Sequence, residues 1–177
     1  MGRALQLAAL GTGRTSPNPL VGAVLLDAEG TLVGEGFHAR AGEPHAEVIA
    51  LRQAGERARG GTLVVTLEPC CHHGRTPPCS AAVIAAGIRR VVIAMADPNP
   101  QVNGGGIAEL RAAGVEVICG VRAAEARALN AGFLHRLASG RPLGILKWAM
   151  GVDGRTALSN GASQWISGAA ARQWVLE

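Results

Sequence analysis

The sequence predicts an α/β domain in which helices pack against a central sheet. Apolar, β-branched segments alternate with helical segments along most of the chain, a pattern typical of layered α/β folds. Hydrophobic residues make up 48% of the 177 residues, and 25 glycines favour helices that pack closely on a sheet. Aromatic residues are only 3% of the chain, which argues against a large aromatic binding platform. The sequence contains no internal repeat and no low-complexity segment.

The first third of the chain predicts a helix, a hairpin and a second helix. Asp27-Ala28-Glu29-Gly30 separates two apolar segments and is typical of a hairpin turn. Pro44 stands before a stretch with helical periodicity, and Gly60-Gly61 ends it. The predicted elements are a short amphipathic helix over residues 4–10, strands over 20–26 and 31–37, and a helix from His45 to about Arg59.

The following segments alternate between strand and helix, which predicts parallel pairing in the later part of the sheet. Gly87 and Gly114 each stand where a helical segment ends, as helix-terminating glycines do. The predicted strands are residues 62–67, 90–96 and 115–119, and the predicted helices are 79–86, 106–113 and 123–138.

Ser139-Gly140-Arg141-Pro142 predicts a domain boundary. We expect one domain over residues 1–140, followed by a strand over 143–149 and one short helix. Some 35 residues are too few for an independent core. Residues 141–177 are therefore either a tail packed on the first domain or the opening of a second one.

The basic character of the chain leaves two interpretations open. The net charge is +4, and the arginines are scattered rather than clustered. They either form a solvated surface or indicate a phosphorylated substrate, which arginine binds well. Nucleic acid is not expected as a partner, because no basic stripe with stacking aromatic residues is present. No apolar run is long enough for a membrane span, and the N-terminus is a poor signal peptide, so we expect a cytoplasmic protein.

The residues with the clearest chemical signal are His45, Cys70 and Cys79. Three of the four cysteines lie within ten residues and next to histidines, a pattern that favours a metal over a disulfide in a reducing compartment. One histidine and two cysteines form a three-ligand zinc set, which leaves the fourth tetrahedral position open for water. We expect His45 at the start of a helix, and Cys70 and Cys79 near helix N-termini, where the helix dipole favours their thiolates.

Glu47 lies two residues after His45 and predicts a proton-transferring carboxylate beside the metal. The combination of His-x-Glu with Pro-Cys pairs is the signature of zinc deaminases. A structural zinc site is the main alternative, with Cys71, His72 or His73 as a fourth ligand. A zinc-stabilised binding module without catalysis and a deaminase of another base or nucleoside also stay open. The glycines at 104–106 lack the spacing of a dinucleotide-binding motif.

These motifs resemble one family: the deaminase half of the bifunctional riboflavin-biosynthesis proteins, which join a pyrimidine deaminase to a reductase. The eight residues between Cys70 and Cys79 are the most specific feature, since nucleoside and transfer-RNA deaminases usually keep two. The resemblance spans most of residues 3–138. The matching segments are Thr15–Val24, His45-Ala46-Glu47, Thr66–Cys70, His72, Gly74–Cys79 and Asp97–Pro100.

The resemblance implies a cytidine-deaminase-like fold, a three-layer α/β/α arrangement with a central mixed sheet. The implied reaction is deamination of 2,5-diamino-6-(5-phosphoribosylamino)pyrimidin-4(3H)-one to 5-amino-6-(5-phosphoribosylamino)uracil. By the same match His45, Cys70 and Cys79 are zinc ligands and Glu47 is the catalytic acid/base. The residues implied to bind substrate are Asn18, His38, His72, Arg75, Asp97 and Asn99.

Alternative roles remain for some of these residues. Asn18 between two prolines could only shape a turn, and Asp97-Pro98-Asn99 could only end a strand. Arg75 stands where the family often has lysine, and Cys71 where it commonly has serine; we expect Cys71 to be a bystander. The N-terminus is also shorter than is usual in the family, and the resemblance leaves a homo-oligomer open.

The tail resembles the start of the family's NADPH-dependent reductase domain, through Leu146–Met150, Asp153-Gly154-Arg155 and Ser163–Ile166. On this match Ala149 and Trp165 fall at cofactor-contact positions and Ser163 at a reductase substrate position. Most of that domain is missing, so we expect a truncated reductase start without reductase activity. NADPH would bind only in a longer parent protein.

Overall fold

A computed structural model of the chain describes residues 1–73 and 77–176. They form two units, Met1–Leu143 and Gly144–Glu177. The first unit contains a five-stranded sheet with helices on both faces, so the predicted three-layer α/β/α fold is confirmed.

The sheet is mixed, with strand order β2-β1-β3-β4-β5. The hairpin strands β1 and β2 pair antiparallel, and β3 pairs antiparallel with β1. Both later pairs, β3 with β4 and β4 with β5, are parallel, as the alternation of strands and helices predicts. The strands are β1 (Gly22–Leu26), β2 (Leu32–Phe37), β3 (Thr62–Val65), β4 (Arg90–Ile93) and β5 (Glu116–Cys119).

Seven α-helices lie in the described residues, and a short 3-10 helix (Gly55–Ala58) follows the second of them. The α-helices are α1 (Gly2–Ala9), α2 (Ala46–Ala54), α3 (Cys79–Ala85), α4 (Gly105–Ala112), α5 (Ala123–Leu129), α6 (Ala131–Ser139) and α7 (Ala169–Leu176). Among the described residues, no helix is both long and apolar enough to cross a bilayer.

Alternating side chains of the strands divide the core between the two faces of the sheet. Leu25, Leu63 and Val65 pack with residues of α2, α3 and α4 on one face. Val24 and Val64 lie on the opposite face, where they pack against α1. Because α2 and α3 pack on the same face, their first residues lie beside the end of β3.

Helix α2 approaches the sheet unusually closely because β2 carries two glycines. A Cβ atom added at Gly34 would lie 2.2 Å from the carbonyl oxygen of Ala50, and one at Gly36 would lie 2.4 Å from that of Ala46. A side chain at either position would force α2 away from β2, so glycine is favoured at both. This contact matters because α2 carries Glu47.

Two predicted helices are shorter in the structure. The helix predicted from His45 to Arg59 ends at Ala54, because Gly55 adopts a positive φ of 55° that an α-helix cannot contain. The helix predicted over 123–138 is divided into α5 and α6 at Asn130. The Asn130 side chain accepts a hydrogen bond from the Leu20 N–H (2.7 Å) and donates one to the Leu20 carbonyl (2.9 Å), which holds the break against the chain before β1.

The predicted strand over residues 143–149 is wrong. Residues 142–150 have no regular secondary structure, and a strand requires a hydrogen-bonded neighbour, which the described residues do not supply here. The predicted short helix at the end of the chain corresponds to α7. The predicted domain boundary after residue 140 lies three residues before the division between the two units.

Candidate metal centre

His45, Cys70 and Cys79 meet at one point of the first unit. His45 is the residue that caps α2, Cys70 follows the end of β3, and Cys79 is the first residue of α3. Their ligand atoms all lie within 4.8 Å of one another. His45 Nδ1 lies 3.1 Å from Cys79 Sγ and 3.6 Å from Cys70 Sγ. A tetrahedral zinc ion would space nitrogen and sulfur ligands by about 3.6 Å, so this donor set fits zinc.

Hydrogen bonds between these three side chains set their protonation. The pKa of Cys70 is lowered because the Cys79 side chain donates a hydrogen bond to its sulfur, with further contributions from His45 and the Cys79 backbone N–H. The pKa of Cys79 is raised for the reciprocal reason, and burial adds to the effect. The hydrogen bond to Cys70 also raises the pKa of His45. Cys70 is therefore the readier thiolate, and a divalent cation would displace the proton that Cys79 retains.

Glu47 lies in the first turn of α2, where its side chain is almost fully buried. Burial raises its pKa to about 6. Its Oε2 atom has no hydrogen-bond partner within the residues that the structure describes. A buried carboxylate oxygen without a partner is costly, and it is the kind of group that a reactant or metal-associated water would satisfy.

The alternative of a fourth protein ligand lacks support in the described residues. There the group that could hold a metal ion comprises His45, Cys70 and Cys79 alone. The Cys71 thiol contacts the Gln101 carbonyl oxygen at 3.8 Å instead. A zinc ion held by these three side chains would keep an open coordination position, as in a catalytic centre, rather than the closed shell of a structural one.

A cavity of about 420 Å³ opens onto this centre. Its walls come from the segment before β1, the loop after β2, the starts of the segments after β3 and β4, and helix α6. The lining residues include Asn18, His38, His45, Glu47, Glu68, Cys70, His72, Asp97, Asn99, Phe133 and Arg136.

The structure brings five of the six predicted substrate-binding residues to this cavity; Arg75 lies outside the described residues. Asn18 Nδ2 donates to His38 Nε2 at 3.0 Å, while His38 Nδ1 lies 3.3 Å from the Pro44 carbonyl oxygen. Burial lowers the pKa of His38, which agrees with a neutral ring that accepts from Asn18. Asn18 thus has a hydrogen-bond partner at the cavity wall in addition to its place in the turn.

The wall of the cavity that the segments after β3 and β4 form carries more acidic groups. Burial raises the pKa of Asp97, whose carboxylate accepts the Asn99 N–H at 2.9 Å. His72 contributes a buried Nδ1 atom that has no hydrogen-bond partner among the described residues. These groups could bind a ring edge or ribose hydroxyls, and their individual roles stay predictions.

The predicted reductase residues lie in the second unit. Ser163 and Trp165 line a cavity of about 250 Å³. Arg172 stacks on the Trp165 ring, with its guanidinium carbon 4.1 Å from the ring centroid. Ala149 is exposed and is not among the residues that line this cavity. The cofactor and substrate roles of these three residues stay predictions.

The sequence motifs predict no role for Glu68 or Asn130. The Glu68 carboxylate is buried and accepts three backbone N–H groups. An acidic residue directly after an apolar strand is the signal that could have identified it, because a buried carboxylate needs partners.

This fold and site define a class of zinc-dependent deaminases. The model of the cytidine and deoxycytidylate deaminase zinc-binding region matches residues 1–95, and the chain belongs to that family. The prediction of a zinc-binding deaminase domain is confirmed by this match.

Within this class the chain is similar to riboflavin biosynthesis protein RibD. It is 57% identical over 175 residues to RibD of Escherichia coli, an alignment that covers 99% of the chain and 47% of that protein. RibD of Acinetobacter baumannii has a similar structure, with 51% identity and a TM-score of 0.89 over 98% of the chain and 49% of that protein. A deaminase/reductase of Thermotoga maritima has 45% identity and a TM-score of 0.93, over 99% of the chain and 50% of that protein. The chain therefore spans about half the length of these relatives.

Proposed function

We propose that this chain catalyses the hydrolytic deamination of 2,5-diamino-6-(5-phosphoribosylamino)pyrimidin-4(3H)-one in riboflavin biosynthesis. The ring carbon that bears the 2-amino group gains oxygen from water, the carbon–nitrogen bond breaks, and ammonia leaves. The product is 5-amino-6-(5-phosphoribosylamino)uracil. The observation that carries the proposal is the buried carboxylate of Glu47, whose Oε2 atom has no partner among the described residues, beside the three candidate ligand side chains at the cavity.

His45, Cys70 and Cys79 would hold the zinc ion, which, when bound, supplies Lewis-acid activation of water near neutral pH. The two thiolates together balance the charge of the metal. Glu47 holds or releases a proton at Oε2, and its raised pKa, about 6, suits transfer in both directions near neutral pH. It would accept a proton from the attacking water and deliver a proton to the departing amino group.

The cavity walls would orient the pyrimidine ring and its ribosyl phosphate. Asn18 offers amide donors and an acceptor, and Asp97 offers an acceptor to ring N–H groups or ribose hydroxyls. Arg136 also lines the cavity, so a cation is available for the phosphate, and we expect Arg75 to contribute as well. The similarity to the T. maritima protein, which is named a diaminohydroxyphosphoribosylaminopyrimidine deaminase/5-amino-6-(5-phosphoribosylamino)uracil reductase, supports this choice of substrate.

The test is ammonia release from the diaminopyrimidine ribotide by the purified chain, together with zinc analysis. The same assay is run with cytosine, guanine, cytidine and deoxycytidylate at equal concentrations. We expect release from the ribotide and negligible release from the others. Release from one of the other bases instead would overturn the proposed substrate while leaving the deaminase class intact.

We further propose that residues 141–177 correspond to the opening of a reductase domain that uses NADPH. The alignment with E. coli RibD continues over 175 residues and supports this assignment. A longer parent protein with the remaining reductase residues should oxidise NADPH in the presence of the deaminated product, whereas the chain of 177 residues should not. We also propose a cytoplasmic location, with a small phosphoribosylated pyrimidine rather than nucleic acid as the partner.

A further inference from the structure

Glu68 ties together three backbone segments through one buried carboxylate. It lies three residues after the end of β3, with 3% of its surface exposed. Its Oε2 atom accepts the N–H groups of Asp97 at 3.0 Å and Gly104 at 3.2 Å. Its Oε1 atom accepts the N–H of Ile107 at 3.0 Å. Charge-assisted hydrogen bonds of this kind are stronger than those between neutral groups.

The three N–H donors lie at or beyond the two ends of the segment that forms one wall of the cavity. Asp97 follows β4, and Gly104 is the residue that caps α4. Between them Asn99 and Val102 line the cavity together with Asp97. Since the Asp97 carboxylate in turn accepts the Asn99 N–H, Glu68 fixes the backbone on which both predicted substrate-binding residues stand.

The glycines at 104–106 make this arrangement sterically feasible. Gly104 has a positive φ of 88°, which favours glycine. A Cβ atom on Gly106 would lie 1.9 Å from the Pro69 carbonyl oxygen. The first turn of α4 can therefore contact the Glu68-Pro69 segment directly, so the triplet serves close packing and not dinucleotide binding.

We propose that Glu68 is a positioning residue for substrate binding, which acts by fixing Asp97 and Asn99 relative to the ligand Cys70. Glu68 and Cys70 are separated by a single residue, so the carboxylate links the substrate wall to the metal centre over a short length of chain. This role rests on the proposed function for its kinetic consequence. Its structural basis, the three hydrogen bonds, is independent of any substrate.

The test is the Glu68→Gln variant of the full chain. Glutamine keeps the size of the side chain but turns one acceptor into an N–H donor that faces another donor. We expect the KM for the diaminopyrimidine ribotide to rise about tenfold, because Asp97 and Asn99 are no longer held in place to bind it. The kcat should change less than about threefold and zinc content should stay at the wild-type value, because no ligand is altered.

Glu109→Gln is the matched control on the same helix α4. Glu109 is exposed and accepts the Ser80 hydroxyl at 2.6 Å, which an amide oxygen can also accept. It should leave KM, kcat and zinc content unchanged. Combined loss of kcat and zinc in the Glu68→Gln variant would show a purely structural role and would overturn the proposal.

A double-mutant cycle with Asp97→Asn shows whether Glu68 acts through Asp97. In the Asp97→Asn background, Glu68→Gln should change KM less than it does in the wild type, because one of the two residues that Glu68 positions is already altered. Full additivity of the two effects would overturn the proposal. If Glu68→Gln does not fold, Glu68→Asp takes its place, since aspartate keeps the charge and shortens the side chain. An unchanged KM in the Glu68→Asp variant would then overturn the proposal.

Amide hydrogen exchange separates this proposal from the proposed function. In the Glu68→Gln variant, exchange should accelerate at Asp97, Gly104 and Ile107 but not at sheet amides such as that of Val92. Unchanged exchange at all three would overturn the positioning role. If wild type and Glu109→Gln release no ammonia from the ribotide, the proposed function fails, whatever the exchange data show for Glu68.

Discussion

The Nδ1 atom of His45 lies 3.1 Å from the Sγ atom of Cys79, although the two residues are 34 positions apart in the sequence. The contact joins the starts of α2 and α3, which pack on the same face of the sheet. Both residues precede or begin a helix, so their side chains project from helix ends toward the end of β3 and Cys70. The metal centre thus depends on where two helices begin and where one strand ends. The contribution of each residue to it can be measured separately.

Glu47→Gln should abolish turnover while the zinc stays bound. The amide cannot exchange a proton, and general acid–base catalysis contributes about 10²–10⁴-fold to rate. We expect a fall in kcat of that order in the ammonia-release assay, with zinc content by atomic absorption unchanged. Glu56→Gln, at an exposed position just beyond α2, is the control and should retain wild-type kcat. Retained activity in the Glu47 variant would contradict its predicted catalytic role.

Cys70→Ser and Cys79→Ser should each lose zinc, whereas Cys71→Ser and Cys119→Ser should keep it. Cys71 contacts a carbonyl oxygen and Cys119 is exposed on β5, so neither belongs to the ligand group. Metal analysis after gel filtration measures the difference. Loss of zinc from the Cys71 variant would instead indicate a fourth protein ligand and a structural site.

Removal of zinc should also lower stability. A ligand that binds only the folded chain stabilises it by about 2.7 kcal/mol at a hundred times its Kd. Urea unfolding of wild type before and after chelation should differ by a value of this size, and added zinc should restore it. The Cys79→Ser variant is the control, since the chelator should leave its unfolding midpoint unchanged.

The order of elements could be predicted from the sequence because apolar periodicity and glycine positions are local signals. The candidate ligand and acid residues could be predicted for the same reason, since His45 and Glu47 are two residues apart. The three hydrogen bonds of Glu68 could not, because its partners lie 29 to 39 residues away and depend on how β4 and α4 are placed. The break at Asn130 depends on Leu20, 110 residues distant. The predicted strand over 143–149 was wrong because apolar composition alone does not supply a pairing partner.

Asp27→Asn should make stability less dependent on acid pH. The Thr31 N–H, and then Arg57, hold the pKa of the Asp27 carboxyl below its usual value. A carboxyl with a lowered pKa in the folded state contributes stability that is present above its unfolded pKa, about 3.9, and is lost as pH falls through the folded value. The variant should therefore be less stable than wild type at pH 7, and the difference should shrink below about pH 4.

Urea unfolding of both proteins at a series of pH values measures this difference in stability. Because both proteins have the same metal centre, its own sensitivity to acid cancels in the difference. Glu29→Gln, an exposed change in the same turn, is the control. A stability difference for Asp27→Asn that stays constant from neutral to acid pH would contradict the effect of the lowered pKa.

Gly36→Ala should weaken both the fold and the metal centre. The added Cβ atom would lie 2.4 Å from the Ala46 carbonyl oxygen and 2.8 Å from Ile49 Cβ, so α2 must move away from β2. Overpacking of this kind costs about 1–3 kcal/mol. Because Ala46 lies between His45 and Glu47, the displacement should also reduce zinc affinity in a competition assay with a chromogenic chelator.

Gly132→Ala is the matched control: its Cβ meets nothing within 4 Å, and alanine favours the helix α6 by about 0.5–1 kcal/mol. It should raise the unfolding midpoint and leave zinc affinity unchanged. Equal zinc affinity in the Gly36 and Gly132 variants would contradict the coupling between the β2–α2 contact and the metal centre.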